Sequence, residues 1–141
     1  MSLVPDHVAV SVPDLAAARD WYAAAFALEP GPVFAIGGSD VSGVVLRHES
    51  GFRLELLHRP GSAPGPLDAR GPDEATLTQG YGHLCWRSTD VRGTHERLVS
   101  LGARSAIEPG ASPSRPGATV CFVTDPWGNL IEVLDRPEEP L

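Results

Sequence analysis

The sequence predicts an α+β fold built from two tandem modules, each with the element order strand, helix, strand, strand, strand. The first observation behind this prediction is an internal repeat, because segment 53–60 (RLELLHRP) recurs 77 residues later as segment 130–137 (LIEVLDRP). The second is that segment 7–15 aligns without a gap with segment 83–91, and each copy opens with a histidine. A length of 141 residues suits one domain better than two independent ones, so we expect a single domain over the whole chain.

Composition and charge exclude several classes of function. A formal net charge of −7 argues against a nucleic-acid partner, because phosphate binding needs a basic face. No apolar run approaches the ~18 residues of a membrane span, and no basic and apolar leader is visible at the N-terminus. With only Cys85 and Cys121, both in apolar runs, we expect two buried, reduced thiols and a cytoplasmic location.

The first module is expected to cover about residues 4–59. Alternating valines predict a strand over 4–12, and Asp14 is a suitable N-cap for a helix whose apolar residues recur at helical spacing. Short β-rich runs then predict three strands, at about 33–36, 41–48 and 52–57.

The segment from about 60 to 80 is predicted to link the modules, since it is rich in Pro, Gly, Ala and Asp. Loops of this length are commonly either mobile connectors or covers over a site, and the sequence leaves both interpretations open.

The second module is expected to cover about 81–137 and to repeat the same order. A strand over 83–87 precedes a helix capped by Thr89 or Asp90, with Gly102 suited to a left-handed position after its end. The remaining predictions are a short strand at 104–107, a loop at 108–117, and a hairpin of 118–124 and 129–134 joined by a type I turn at 125–128.

Strand alternation places four chemically distinctive residues on faces opposite the apolar ones. His7 is out of phase with the valines of its strand, and His83 is out of phase with Leu84. Glu55 and Glu132 are likewise out of phase with the apolar residues on either side of them. If the two modules meet about a pseudo-twofold axis, these faces converge on one cleft.

Two histidines and two glutamates are a suitable ligand set for a divalent metal. A glutamate inside an apolar strand costs several kcal/mol to bury as a charge unless something compensates it, and here two occupy matching repeat positions. The alternative is a structural network of ion pairs without a metal. His48, His58 and His95 have no repeat counterpart, and we expect them to be surface or loop histidines.

The motifs DHVAV at 6–10, PDL at 13–15, RLELL at 53–57, YGHL at 81–84 and DPWGNLIE at 125–132 together resemble the vicinal oxygen chelate superfamily. This is also called the glyoxalase/bleomycin-resistance/dioxygenase family, and the resemblance covers essentially the whole chain. It implies paired βαβββ modules that form a curved sheet around a metal cleft. The chain departs from the family pattern at the end of the first helix, where Phe26-Ala27 replaces Leu-Gly.

The resemblance also implies one divalent metal per site (Ni, Co, Zn or Mn), held by His7, Glu55, His83 and Glu132. A complete set of two His and two Glu is similar to that of bacterial glyoxalase I. The implied function is a lyase or isomerase that moves a proton next to a carbonyl through an enediolate, with Glu132 as base and Glu55 as second candidate. The substrate is expected to be a small 2-oxo or 2-hydroxy carbonyl compound or its thiol adduct.

Other activities of the same superfamily are alternatives. They are a protein that sequesters a drug or natural product, an acyl-CoA epimerase and a ring-cleaving dioxygenase. Glu55 weighs against the last two, because epimerases commonly have glutamine there and dioxygenases usually keep a single glutamate.

Two further expectations concern the surroundings of the site. Arg53 and Arg87 share the ligand faces and could hold a substrate carboxylate, although they could equally pair with a neighbouring carboxylate or lie in solvent. We also expect a homodimer with shared sites, because each module offers one ligand face and the linker does not force the modules of one chain together.

Overall fold

The structure is a computed structural model that describes residues 2–65, 71–139 and 141. The chain divides into two compact units, Met1–Ala63 and Pro64–Leu141, which we describe one at a time. Each unit contains one four-stranded mixed sheet and the predicted order strand, helix, strand, strand, strand. The α+β fold with two tandem modules is therefore confirmed.

The first unit has a sheet with the strand order β1-β4-β3-β2. Strands β1 and β4 are parallel, and the other pairs are antiparallel. Its elements are β1 (Val8–Ser11), α1 (Leu15–Phe26), β2 (Glu29–Ala35), β3 (Ser42–Arg47) and β4 (Arg53–His58).

Helix α1 begins and ends as its sequence suggests. The Asp14 carboxylate accepts a hydrogen bond from the backbone N–H of Ala17 at 3.0 Å, so the predicted N-cap is present. At the other end Ala27 has φ of 51°, in the left-handed region, and its N–H donates to the carbonyl of Ala23. Ala27 thus adopts the left-handed backbone conformation that glycine usually provides at this position. Because alanine has a Cβ, this conformation costs about 1 kcal/mol of folding free energy.

The core of the first unit lies between α1 and one face of its sheet. Tyr22 of the helix is fully buried, as are Val44, Leu46, Leu54 and Leu56 on the two central strands. The face of β4 that bears Leu54 and Leu56 is therefore covered by the helix. Glu55, which lies between these two leucines, is on the opposite face of the strand.

The second unit has a sheet with the order β5-β8-β7-β6, again with only the first pair parallel. Its elements are α2 (Pro72–Ala75), β5 (Leu84–Arg87), α3 (Val91–Ser100), β6 (Arg104–Ala111), β7 (Thr119–Thr124) and β8 (Leu130–Leu134). Of the two predicted N-caps of α3, Asp90 has this role and accepts from the N–H of Gly93 at 2.9 Å. Gly102 has a φ of +99°, as expected after a helix end.

Strand β6 is longer than the sequence suggested. It continues to Ala111, so the loop predicted from residue 108 was wrong over its first residues. The pairing of β6 with β7 shifts register between Ser105 and Gly110. Such irregularities let a strand accommodate Pro109, which has no N–H to donate to a ladder.

The predicted turn at 125–128 joins β7 to β8. The N–H of Gly128 donates to the carbonyl of Asp125 at 3.1 Å, and the fully buried Asp125 side chain accepts from the N–H groups of Trp127 and Asn129. This network fixes the hairpin that carries Glu132.

The predicted linker contains a short helix in its described part. Helix α2 belongs to the second unit, and Ala75 is buried against that unit's sheet. Residues 66–70 of the predicted linker lie outside the described residues. Across the part of the chain that the structure describes, no helix is both long and apolar enough to cross a membrane.

Candidate metal centre

The first unit brings His7 and Glu55 together. Because β1 runs parallel to β4 with Ala9 opposite Glu55, the histidine two residues before Ala9 lies on the face of the glutamate. Nε2 of His7 is 3.2 Å from Oε2 of Glu55, whose side chain is only 17% exposed. The two residues that sequence alternation placed on one face are therefore in contact.

The second unit repeats this arrangement with His83 and Glu132. Cys85 lies opposite Glu132 in the parallel pair of β5 and β8, and Nε2 of His83 is 3.0 Å from Oε2 of Glu132. Ile131 and Val133, on either side of the glutamate, are buried. The repeat thus preserves the contact between an imidazole and a carboxylate as well as the strand order.

A carboxylate and a guanidinium surround His7 on its other side. Nδ1 of His7 lies 2.9 Å from Oδ2 of Asp6, and Nη1 of Arg53 lies 2.5 Å from Oδ1 of the same aspartate. Sequence reasoning missed Asp6. An acidic residue directly before the histidine was the available signal, but it has no counterpart in the second copy, where Gly82 stands at the matching position.

These contacts shift the ionisation of both groups. The hydrogen bond with His7 and the positive charge of Arg53 lower the pKa of Asp6. The hydrogen bond with Asp6 raises the pKa of His7, with a further contribution from the Glu55 carboxylate. In the metal-free protein the His7 imidazole therefore keeps its proton to a higher pH than an ordinary histidine.

The two predicted substrate-binding arginines both have partners within their own unit. Arg53 forms the ion pair with Asp6, and Arg87 donates to the backbone carbonyl of Glu139. The pairing of Arg53 with a neighbouring carboxylate is one of the alternatives that the sequence left open. A contact between either arginine and a substrate stays a prediction.

The prediction of two buried thiols was wrong for one cysteine. Cys121 is buried, but Cys85 is exposed because it lies on the ligand face, beside Glu132. Partial removal from water raises the pKa of the Cys85 thiol to about 12, and the nearby Glu132 carboxylate adds to the shift.

The structure shows the contacts of two further histidines, His95 and His58. His95 was expected at the surface or in a loop, and this was wrong: it lies on the inner side of α3, is only 7% exposed, and places Nε2 2.8 Å from Oγ of Ser105. His58 is half-buried at the end of β4, with Nδ1 3.1 Å from the carbonyl oxygen of Val12. Both histidines therefore contact groups other than the predicted ligands.

The side chains present fit a divalent cation in their chemistry. Each unit offers one imidazole nitrogen and one carboxylate oxygen that already face each other, and these are donors that Zn²⁺ and related ions accept. In 2–65, 71–139 and 141, no three His, Cys, Asp or Glu side chains are gathered so as to hold a metal. The union of the two pairs in one four-ligand site stays a prediction.

Comparison with known families identifies the superfamily of the chain. Residues 4–133 match the Glyoxalase/Bleomycin resistance protein/Dioxygenase superfamily. The chain belongs to this superfamily. Its two tandem modules agree with this membership.

One curated relative and two solved structures show the extent of the likeness. A probable lactoylglutathione lyase of Synechocystis sp. is 35% identical over 65 residues, which is 45% of this chain and 48% of that protein. Glyoxalase I from Zea mays has a TM-score of 0.71 at 22% identity, over 93% of this chain and 44% of that one. The chain thus spans about half the length of these two relatives.

A second solved structure matches over almost its whole length. The glyoxylase/bleomycin resistance protein/dioxygenase domain from Frankia sp. EAN1pec has a TM-score of 0.72 at 20% identity, over 94% of this chain and 98% of that one. At this level of identity the likeness establishes the shared fold.

Proposed function

We propose that the protein is a divalent-metal-dependent lyase or isomerase of glyoxalase I type, which moves a proton next to a carbonyl group. The observation that carries the proposal is the repeated contact between an imidazole and a carboxylate, His7 with Glu55 and His83 with Glu132. The partial match to a probable lactoylglutathione lyase supports the same reaction class.

His7, Glu55, His83 and Glu132 would together hold one ion of Ni, Co, Zn or Mn per site. When bound, such an ion withdraws electron density from a carbonyl oxygen and lowers the free energy of the negative charge that develops there. Two neutral imidazoles and two carboxylates leave the loaded site close to neutral, which suits the approach of a polar substrate.

Glu132 is the proposed base, with Glu55 as the second candidate. On the Glu132 face, Phe122, Leu130 and Leu134 are all buried, so water is partly excluded around this carboxylate. A carboxylate in such surroundings can take the proton from the carbon next to the carbonyl and return it to the neighbouring carbon. The proposed substrate is a 2-oxo or 2-hydroxy carbonyl compound or its thiol adduct.

We further propose a cytoplasmic homodimer in which each site takes one pair of ligands from each subunit. The free thiols of Cys85 and Cys121 suit a reducing compartment. Each unit supplies two of the four ligands by itself, so a second unit is needed to complete a site, and that unit can come from a partner.

The proposal is tested by measuring metal content and proton exchange on one preparation. Near-stoichiometric Ni, Co, Zn or Mn after purification without added metal is expected, with exchange of solvent deuterium into adducts of 2-oxoaldehydes with thiols. Acyl thioesters in the same panel test the epimerase alternative. A preparation that has no metal, catalyses no exchange and still binds aromatic drugs would support a sequestering protein instead.

A further inference from the structure

An apolar surface lies directly beside the His83–Glu132 pair. We call it the apolar wall and define it as Val120, Phe122, Leu130 and Leu134, all buried and packed in one cluster. Phe122 is the cross-strand partner of Glu132, and its ring meets the His83 imidazole edge to face with 5.4 Å between centroids. A molecule that reaches the pair would therefore meet the apolar wall next.

In this structure the helix of the linker covers that wall. Ala75, the last residue of α2, is 3% exposed and packs in the same cluster as the wall residues. Ala75 contributes one methyl group to this contact, and Gly71, the N-cap residue of α2, is buried as well. Asp73, Thr76 and Leu77 are exposed, and Leu77 is 85% exposed.

The single buried methyl group of Ala75 contributes little to the free energy that holds α2 on the wall. Hydrophobic stabilisation scales with the apolar area removed from water, and alanine offers the smallest side chain that buries any. The apolar wall consists of one aromatic and three branched side chains. It could therefore contact an apolar group larger than the Ala75 methyl group that now packs against it.

We propose that α2 is a displaceable cover over a substrate subsite and that Ala75 is its specificity-determining residue. The side chain at position 75 competes with an apolar group of the substrate for the wall. A larger side chain there holds the cover more firmly and selects against substrates with bulky apolar groups, while small substrates bind as before. This inference rests on the proposed function, because it assumes that His83 and Glu132 bind the polar end of the substrate.

The test uses two hydroxamates, whose paired oxygens imitate those of a 2-hydroxy carbonyl compound. Acetohydroxamate carries a methyl group and benzohydroxamate a phenyl ring. Calorimetric titrations of the Zn²⁺-loaded full chain compare wild type with Ala75→Leu and Ala75→Gly. Leu77→Ala is the matched control, because it alters an exposed side chain of the same segment.

Ala75→Leu should lower the affinity for benzohydroxamate by about tenfold or more, since it adds three carbons to the competing side chain. The affinity for acetohydroxamate should stay within about threefold of wild type. Ala75→Gly should bind benzohydroxamate as tightly as wild type or more tightly, and Leu77→Ala should leave both affinities unchanged. Hydrogen exchange of amides 73–78 should speed up when benzohydroxamate binds and stay unchanged with acetohydroxamate.

The possible failures are distinguishable. If both hydroxamates bind and neither affinity depends on residue 75, the proposed function stands and the role of α2 is refuted. If Ala75→Leu lowered the affinity for both hydroxamates equally, Ala75 would have only a structural role, and this result would also overturn the inference. If neither hydroxamate binds the Zn²⁺-loaded protein, the proposed function fails and this inference fails with it.

Discussion

Nδ1 of His7 lies 2.9 Å from Oδ2 of Asp6, while Nε2 of the same ring faces Glu55. Arg53 holds the other oxygen of Asp6, so the carboxylate has a fixed orientation. A carboxylate on the far nitrogen of a metal-binding histidine sets its tautomer and raises its basicity. We therefore propose that Asp6 is a positioning residue for His7 in the proposed metal site.

Replacing Asp6 with asparagine should lower metal affinity by about 10–100-fold, the usual effect of losing such a partner. The same change should lower the pKa of His7 in the metal-free protein, because the hydrogen bond that the His7 ring donates to the Asp6 carboxylate is the largest cause of its elevation. Competitive chelator titration and an NMR titration of the His7 ring measure the two effects. Asp20→Asn is the control, since that carboxylate pairs with Arg19.

The sign of the accompanying pH dependence follows from the raised pKa of His7. Its contribution to folding stability is fully present below the ordinary histidine pKa of 6.5 and is lost as pH rises through the higher folded value. In Asp6→Asn this loss should occur at lower pH. Unchanged metal affinity together with an unchanged His7 titration would refute the positioning role.

Glu132→Gln separates metal binding from proton transfer. Glutamine keeps an oxygen donor and loses the base, so the variant should retain part of its metal and lose turnover by about 10²–10⁴-fold. Metal analysis and steady-state kinetics on the same preparation give both numbers. Turnover within a few-fold of wild type would move the base to Glu55, and Glu55→Gln is the parallel variant.

Cys85 should be unreactive although it is exposed. With a pKa of about 12, its thiolate fraction at pH 8 is small, so alkylation by iodoacetamide in the metal-free protein should be roughly 10²–10³-fold slower than for a peptide cysteine. Glu132→Gln should speed the reaction, because the carboxylate contributes to the shift. Denatured protein, in which both cysteines should react normally, is the control. Rapid alkylation of native Cys85 would contradict the description of its surroundings.

Shared sites in a homodimer are tested by complementation between inactive chains. One chain carries His7→Ala and Glu55→Ala, and the other carries His83→Ala and Glu132→Ala. If the two pairs of a site come from different chains, each mixed dimer contains one intact site, and metal binding and activity should partly return after subunit exchange.

If both pairs come from one chain, every site in the mixture is defective and nothing returns. Mass-tagged subunits must show that exchange took place, so that a negative result counts against shared sites.

Much of the fold could be predicted from the sequence, because alternation and capping are local. Asp14 and Asp90 precede their helices and cap them, and the faces of Glu55 and Glu132 follow from the burial of their neighbours. The extension of β6 was missed, since Pro109 suggested a loop and only the pairing with β7 accommodates it.

The candidate site was predictable where the repeat preserves it and not elsewhere. His7 and His83 have matching partners, but Asp6 has no counterpart in the second copy, so the repeat does not point to its contact with His7. Cys85 was misjudged because an apolar run suggested burial, although strand alternation places it on the face of His83, and the structure shows it exposed beside Glu132. His95 was misjudged because its partner Ser105 lies on another element.

The central claim is that His7, Glu55, His83 and Glu132 bind one metal ion as a single set. The most direct test is to count metal ions per chain by mass spectrometry after equilibration with Zn²⁺ and gel filtration, in wild type and in the four single alanine variants. We predict one ion per chain in wild type, much less in each variant, and no change in the control His58→Ala, whose ring contacts the Val12 carbonyl. Two ions per chain in wild type, or normal occupancy in two or more of the four variants, would contradict the claim.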